Sequence, residues 1–285
     1  MEDDLEVPAV TQRPSYWRVF QTFARNSLVR DMTFRSNFVI EVISSTSWVL
    51  MNLGFYALIF SYTPMIGYDS GWGKYEFFVF MATTMMITSI IQAFFMPNAD
   101  EFSELIRTGG LDFALLKPID TQFLVSLNRV HWSALGNLVL AVLLMGYALA
   151  RMSYTPTVLQ VVLFVPYVLC GVAIMYSLMI ALSATSVWLG RNQSLYDFWF
   201  YITNFARYPL EIYRGSVAGD ALRGFFTFVI PVLVVVNVPA RLMALPMTAE
   251  YWYLALFALL TTAVSLAGSR WIFVRALRSY RSASS

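Results

Sequence analysis

Long apolar runs separated by short polar ones decide what this chain can become. Residues 38–60, 76–96, 130–150, 158–188 and 251–274 form such runs. Each matches the length of about 20 residues that a helix needs to cross the hydrocarbon of a bilayer. A soluble chain of 285 residues needs polar surface that is missing here: 58% of residues are hydrophobic and 13% charged. Ordinary soluble domains have about 45–50% and about 25%. Mean hydropathy is +0.62. Inside a bilayer each run must satisfy its own backbone hydrogen bonds, so the expected fold is an all-α polytopic membrane protein.

The placement of cations orients the runs. Arg13, Arg18, Arg25, Arg30 and Arg35 precede the first span, Arg107, Lys117 and Arg129 follow the second, and Arg270, Arg275, Arg278 and Arg281 close the chain. The short loops at 61–75 and 151–157 carry one cation each, Lys74 and Arg151. The positive-inside rule then places both termini and the 97–128 loop in the cytoplasm of a multi-pass protein of the cell membrane. That arrangement requires an even number of spans. Residues 194–210 are aromatic but include Asp197, Asn204 and Arg207, and 224–245 are broken by Pro231 and Pro239. Either the first lies at the interface and the second spans, or the first spans and the second dips in as a re-entrant hairpin over 221–245. The two prolines favour the hairpin, and both arrangements give six spans.

The acidic start, MEDDLEVPAVTQRP, lacks the apolar core of a secretory signal. Residues 1–14 read as a disordered tail ending at Pro14. Residues 15–35 read as an amphipathic helix: Tyr16, Trp17, Phe20, Phe23, Ala24 and Leu28 fall on one face, with Arg18, Gln21, Thr22 and Arg25 opposite. That pattern suits a helix lying on membrane lipid, or one packed on another cytoplasmic domain. Residues 36–285 form one transmembrane domain.

Catalytic and metal-binding patterns are missing. His131 and Cys170 are the single residues of their kinds. No Gly-rich phosphate loop and no Cys/His metal spacing is present, so no cofactor is expected in this chain. An intramembrane enzyme would need paired acid, base or nucleophile groups at matched depth. A channel or secondary transporter would show internal repeats or an ion-binding set.

Polar residues within spans are costly and therefore informative. Glu41, Ser45, Trp48 and Asn52 share one stripe of the first span; Thr84, Thr88 and Gln92 share one of the second. Glu41, Ser45, Asn52, Thr84 and Thr88 are candidates for a substrate path. The competing readings are helix–helix contact for the threonines and snorkelling for Glu41. Small residues at Ala173, Ser177, Ala181 and Ala184, and at Ala258, Thr262, Ser265 and Ser269, suit close packing of helices.

In the 97–128 loop, Phe102, Leu105 and Ile106 share a helical face, Glu101, Glu104 and Arg107 are polar, and Gly109-Gly110 stops the helix. LDFALL follows and ends at Lys117-Pro118. A short amphipathic element with a stiff exit suits docking into a partner's groove, or packing on its own bundle.

Four segments in order, IRTGGLDFALLKPID, NFARYPLEIY, FVIPVLVVVNVPARLM and WIFVRALRSYRSAS, occur at 106–120, 204–213, 228–243 and 271–284. With this order of elements the chain resembles the permease subunits of ABC-2 type transporters over nearly its whole length. The resemblance implies a type V exporter fold with six spans. Two permeases, as a homodimer or with a sister subunit, would bind two copies of a separate ABC ATPase that holds ATP and Mg. It implies that residues 99–117 include the coupling helix, with Phe102, Glu104, Leu105, Ile106, Leu111, Leu115 and Leu116 toward the ATPase. The hairpin would close the outer side. The exported substrate stays unknown, and nucleic acid is not among the expected partners.

Overall fold

The structure, a computed structural model, describes residues 15–67, 70–189 and 193–280, with the side chains at 193–197 and 250 excepted. The expected 1–14 tail, the side chain of Asp197 and residues 281–284 of the last motif lie outside the described residues. Every named element among the described residues is helical. In order they are α1 (Tyr16–Thr33), α2 (Arg35–Tyr62), α3 (Lys74–Phe94), α4 (Met96–Thr108), α5 (Leu111–Leu115), α6 (Thr121–Leu127) and α7 (Ala134–Arg151). Then come α8 (Val158–Ala184), α9 (Ser186–Leu189), α10 (Gln193–Asn204), α11 (Val217–Gly224), α12 (Val232–Ala244) and α13 (Ala249–Ser279). The protein is an all-α polytopic membrane protein.

Five helical stretches are long and apolar enough to cross a bilayer: Arg35–Tyr62, Lys74–Thr108, Ala134–Arg151, Val158–Leu189 and Tyr251–Ser279. The second runs further than the sequence suggests. The short helix expected before Gly109 is present, but α4 continues α3 instead of standing apart in a loop, because Pro97 sits in its first turn, where a missing N–H breaks no helical bond. Gly109, at φ 73°, ends it in the left-handed conformation that glycine adopts at little cost. Val158 starts α8 from a reciprocal cap in which Thr157 and Gln160 satisfy each other's backbone donors.

Contacts define two ends of the bundle. At one, Phe102 meets Phe273 with ring centroids 5.5 Å apart, Tyr16 meets Phe123 at 4.9 Å, and Ser103 lies 3.3 Å from Ser186. Both described chain ends are therefore at this end, which Asp120 also occupies. At the other, Trp72 meets Glu211 at 2.8 Å and Leu245 lies against Gly71. The chain thus passes from one end to the other between α9 and Glu211. It does so as the twelve-residue α10 followed by 3-10 turns at Phe205–Arg207 and Leu210–Tyr213. A helix of that length covers about 18 Å, short of the roughly 30 Å core, which is why the passage needs the irregular turns.

Val217–Val229 and Val232–Ala244 form a pair bent by 89°. Gly219 touches Tyr213 at its start and Leu245 touches Gly71 at its finish, so it enters and leaves at the Glu211 end. The bend comes at Ile230-Pro231, after a π-helical turn over Phe225–Val229. Pro239, expected to break the segment as well, sits inside α12. Having no N–H, it leaves the Val235 carbonyl without its helical donor. That carbonyl faces Gly171 of α8, where an added Cβ would come within 2.7 Å. Gly171 permits this approach of α12 to α8, in the middle of a core that includes Ile87, Val172, Met175 and Val235.

Half of the small-residue positions, Ser177, Ala184, Ala258 and Ser269, are buried, and Ala258 packs on Val234 and Val238 of α12 as well as Tyr167 of α8. α2 differs from every other span in having no buried residue. α1 splits its apolar face. Phe20, Phe23, Ala24 and Ser27 turn to the protein, where Ser27 Oγ accepts from the Val130 N–H at 3.1 Å and Trp132 Nε1 donates to the Ala24 carbonyl at 3.1 Å. Tyr16, Trp17, Leu28 and Val29 stay exposed.

Candidate functional site

The segment from Gly109 to Ser133 is pinned on both sides. Asn98, buried, donates from Nδ2 to the Arg129 carbonyl and accepts the Arg129 N–H, both at 2.8 Å. Arg129 in turn donates to Glu101 at 2.7 Å. Further along, Asp120 caps α6 by accepting the Phe123 N–H at 3.0 Å. Arg270 of α13 reaches the same carboxylate through Nη1 at 3.1 Å and Nη2 at 2.5 Å, and gives a third bond of 2.9 Å to Gln122. Gln122 and Ser126 both meet the Tyr176 hydroxyl of α8, at 2.9 and 2.8 Å. Burial pushes the Asp120 carboxyl up, but Arg270 and the Phe123 N–H outweigh it and hold the group below its ordinary value. The loop is thereby tied to three spans at once.

This pinning decides which side chains stay free. Phe102 and Leu111 are 0% exposed and pack with Ile180, Ala184, Phe273 and Ala276; Leu105 and Ile106 are half-buried against the same group. The expected docking face of Phe102, Leu105, Ile106 and Leu111 is therefore mostly committed to the protein's own bundle. A helical face with apolar spacing carries no information about what will cover it. Glu104 is exposed and pairs with Arg107. The free apolar surface is on α5 and just after it: Phe113 is 74% exposed, Leu116 81% and Leu115 40%. Phe113 was passed over because a five-residue helix gives too short a period to assign faces.

A second feature is a groove of about 230 Å³ beside α2, α3 and α7, reached by Arg207 and Tyr208. Asn52, Thr84 and Thr88 line it, together with Trp48, Gln92 and Asn137. Glu41 and Ser45 do not. Glu41 lies 2.8 Å from both His131 Nε2 and Ser133 Oγ, nearer the Asp120 end, and Ser45 donates to the Val42 carbonyl at 3.1 Å. Within the groove the hydroxyls donate to their own helix, Thr84 to the Phe80 carbonyl at 2.9 Å and Thr88 to that of Thr84 at 2.8 Å. Asn52 Nδ2 likewise donates to the Trp48 carbonyl at 2.8 Å. Thr84 and Thr88 thus turn acceptor capacity to the groove, and Asn137 Oδ1 is buried without a partner.

At the opposite end a buried ionic cluster closes the fold. Glu211 accepts from Trp72 Nε1, Arg241 Nη1 and the Tyr251 hydroxyl, each at 2.8 Å, and the Arg241 guanidinium lies 3.2 Å from the Tyr251 ring centroid. Its members come from the loop before α3, the segment before α11, α12 and α13. Sequence reading missed it, although lone charges in LEIY and VPARLM, both in apolar surroundings, were the available signal. A larger cavity of about 460 Å³ between the bent pair and α13 is walled by Phe228, Leu254 and Phe257 together with Arg214, Asp220 and Arg223.

Among the described residues no group of His, Cys, Asp or Glu is arranged to hold a metal ion. Neither a curated protein nor a solved structure matches the chain. The family model described as "ABC-2 family transporter protein" matches residues 46–284. That match covers most of the chain, including the groove, the pinned loop, the bent pair and the ionic cluster. The chain therefore belongs to the ABC-2 family of transporter proteins, as a membrane permease.

Proposed function

We propose that this chain is the membrane subunit of an ATP-driven exporter, docking a separate ABC ATPase through α5 and the residue after it. The observation that carries this reading is the division of α5. Leu111 and Ala114 are buried in the bundle, while Phe113 and Leu116 stand outward. An ATPase that closes on ATP moves the spans only by pressing on something rigid. α5 is such an element, held between Gly109 and Pro118 and tied through Asp120 to α13 and through Gln122 to α8. The basic end of the bundle faces the cytoplasm in this arrangement, which puts both termini inside and the Glu211 end outside.

The bent pair then serves as a re-entrant closure on the outer side, locked to α13 and the first outer loop by Glu211. A second permease lies along α2, where Val39, Ile43, Leu50 and Leu58 stay exposed. ATP and Mg are bound by the ATPase and not by this chain. The experiment is purification of the chain with co-expressed candidate ATPases, followed by ATP hydrolysis in lipid nanodiscs. A stable complex whose hydrolysis depends on the permease supports the reading. A chain that stays alone and moves solute without ATP supports a channel or secondary transporter instead.

A further inference from the structure

We propose that the groove beside α2 binds an anionic amphiphile, with Arg207 as the counter-charge to its acidic head. This inference rests on the exporter reading and names the substrate class of that path. Thr84 and Thr88 are ten and fourteen residues from the start of α3 at Lys74. At 1.5 Å per residue they lie about 15–21 Å from the Glu211 end, near the middle of a core of about 30 Å. Arg207, exposed and four residues before Glu211, lines the groove from the Glu211 side and is its only charged side chain among the described lining residues.

Among the described lining residues it meets no acid. α2, α3, α7 and α8 contain two carboxylates in all, Glu41 and Glu76, each near a helix end. Glu41 is already held by His131 and Ser133. Asp197, whose side chain lies outside the described residues, is ten positions away along the chain. A second copy seated along α2 would bring Glu41 as that helix's only acid. The counter-charge is then carried in by the substrate. The other walls describe the rest of it: Trp48, Tyr56, Phe77 and Met81 give apolar and aromatic contact. The acceptors on Thr84 and Thr88, whose protons are given to their own helix, suit a donor such as a hydroxyl or amide close to the head.

The test uses the permease–ATPase complex in phosphatidylcholine nanodiscs. The probes are 11-(dansylamino)undecanoic acid and its methyl ester, which share a body and differ in charge. The wild-type complex is expected to bind the acid at least about tenfold more tightly than the ester, as a charge-assisted bond would give. Arg207→Gln should bring that ratio near one, and Arg207→Lys should keep most of it. Asn52→Asp, which sets a carboxylate in the groove, should also abolish the preference, and it decides the matter if Arg207→Gln does not fold. Competition by phosphatidylglycerol in the nanodisc would identify a membrane lipid as the natural source of the anion, and its absence a solute. Equal binding of acid and ester by wild type, or an unchanged ratio in the Arg207→Gln complex, overturns the inference. Loss of the ATPase from the wild-type preparation would instead contradict the exporter reading.

Discussion

Arg241 Nη1 donates to Glu211 Oε1 at 2.8 Å, joining the second arm of the bent pair to the segment that leads into the first. The Glu211 side chain is 5% exposed, so its charge has no water to fall back on. Removing one member of a buried pair commonly costs about 3–5 kcal/mol, because the other is left uncompensated. Glu211→Gln should therefore lower the unfolding temperature of the purified protein by many degrees. Glu211→Gln combined with Arg241→Gln should recover part of the loss. If the single variant melts like wild type, the cluster does not hold the bent pair in place.

Gly171 faces the Val235 carbonyl with no room for a Cβ. Overpacking of this kind typically costs about 1–3 kcal/mol. Gly171→Ala should reduce thermal stability, while Gly146→Ala, where an added Cβ meets nothing within 4 Å, should not. Equal stability of the two variants would mean that α12 and α8 are not in close contact.

Asp120 ionises below its ordinary value in the folded protein. Its contribution is thus complete above the unfolded value of about 3.9 and is lost as pH falls through the folded one. The stability gap between wild type and Asp120→Asn should be constant from pH 8 to about pH 5 and shrink below about pH 4. Thermal unfolding across that range checks it. A gap that persists undiminished at the acid end would assign the effect to something other than the carboxylate charge.

The contacts put Ser153 and Lys117 at opposite ends of the bundle. In a Cys170→Ser background, a cysteine at Ser153 should react with an impermeant maleimide added outside intact cells, and a cysteine at Lys117 only after permeabilisation. Labelling of the Lys117 position from outside would reverse the orientation.

Spans were legible in the sequence because they depend on a bulk quantity. A run of twenty apolar residues survives any detail of packing. The two-sided reading of 194–245 narrowed to a bend through the prolines, although only Pro231 makes one. Sites were far less legible. Asn52, Thr84 and Thr88 do meet in one groove, but Glu41 shares the stripe of Asn52 and not its surroundings. A stripe gives direction around a helix and says nothing about which neighbour ends where. For the same reason Phe102, a good apolar anchor by spacing, turned out to be covered by Phe273, some 170 residues later in the chain. Leu116, with no periodicity to recommend it beyond the end of α5, stands free.

That difference supplies the most direct test of the account. Apolar anchors dominate most interfaces, and truncating one commonly costs about 1–4 kcal/mol. The measurement is the amount of ATPase that copurifies with two double variants, Phe113→Ala with Leu116→Ala and Leu105→Ala with Ile106→Ala. The first pair should leave the permease as stable as wild type and strip most of the ATPase from it. The second should lower the stability of the permease itself, because those side chains pack on its own bundle. Full ATPase stoichiometry in the Phe113/Leu116 variant, with normal transport, would contradict the claim that this element couples the permease to its motor.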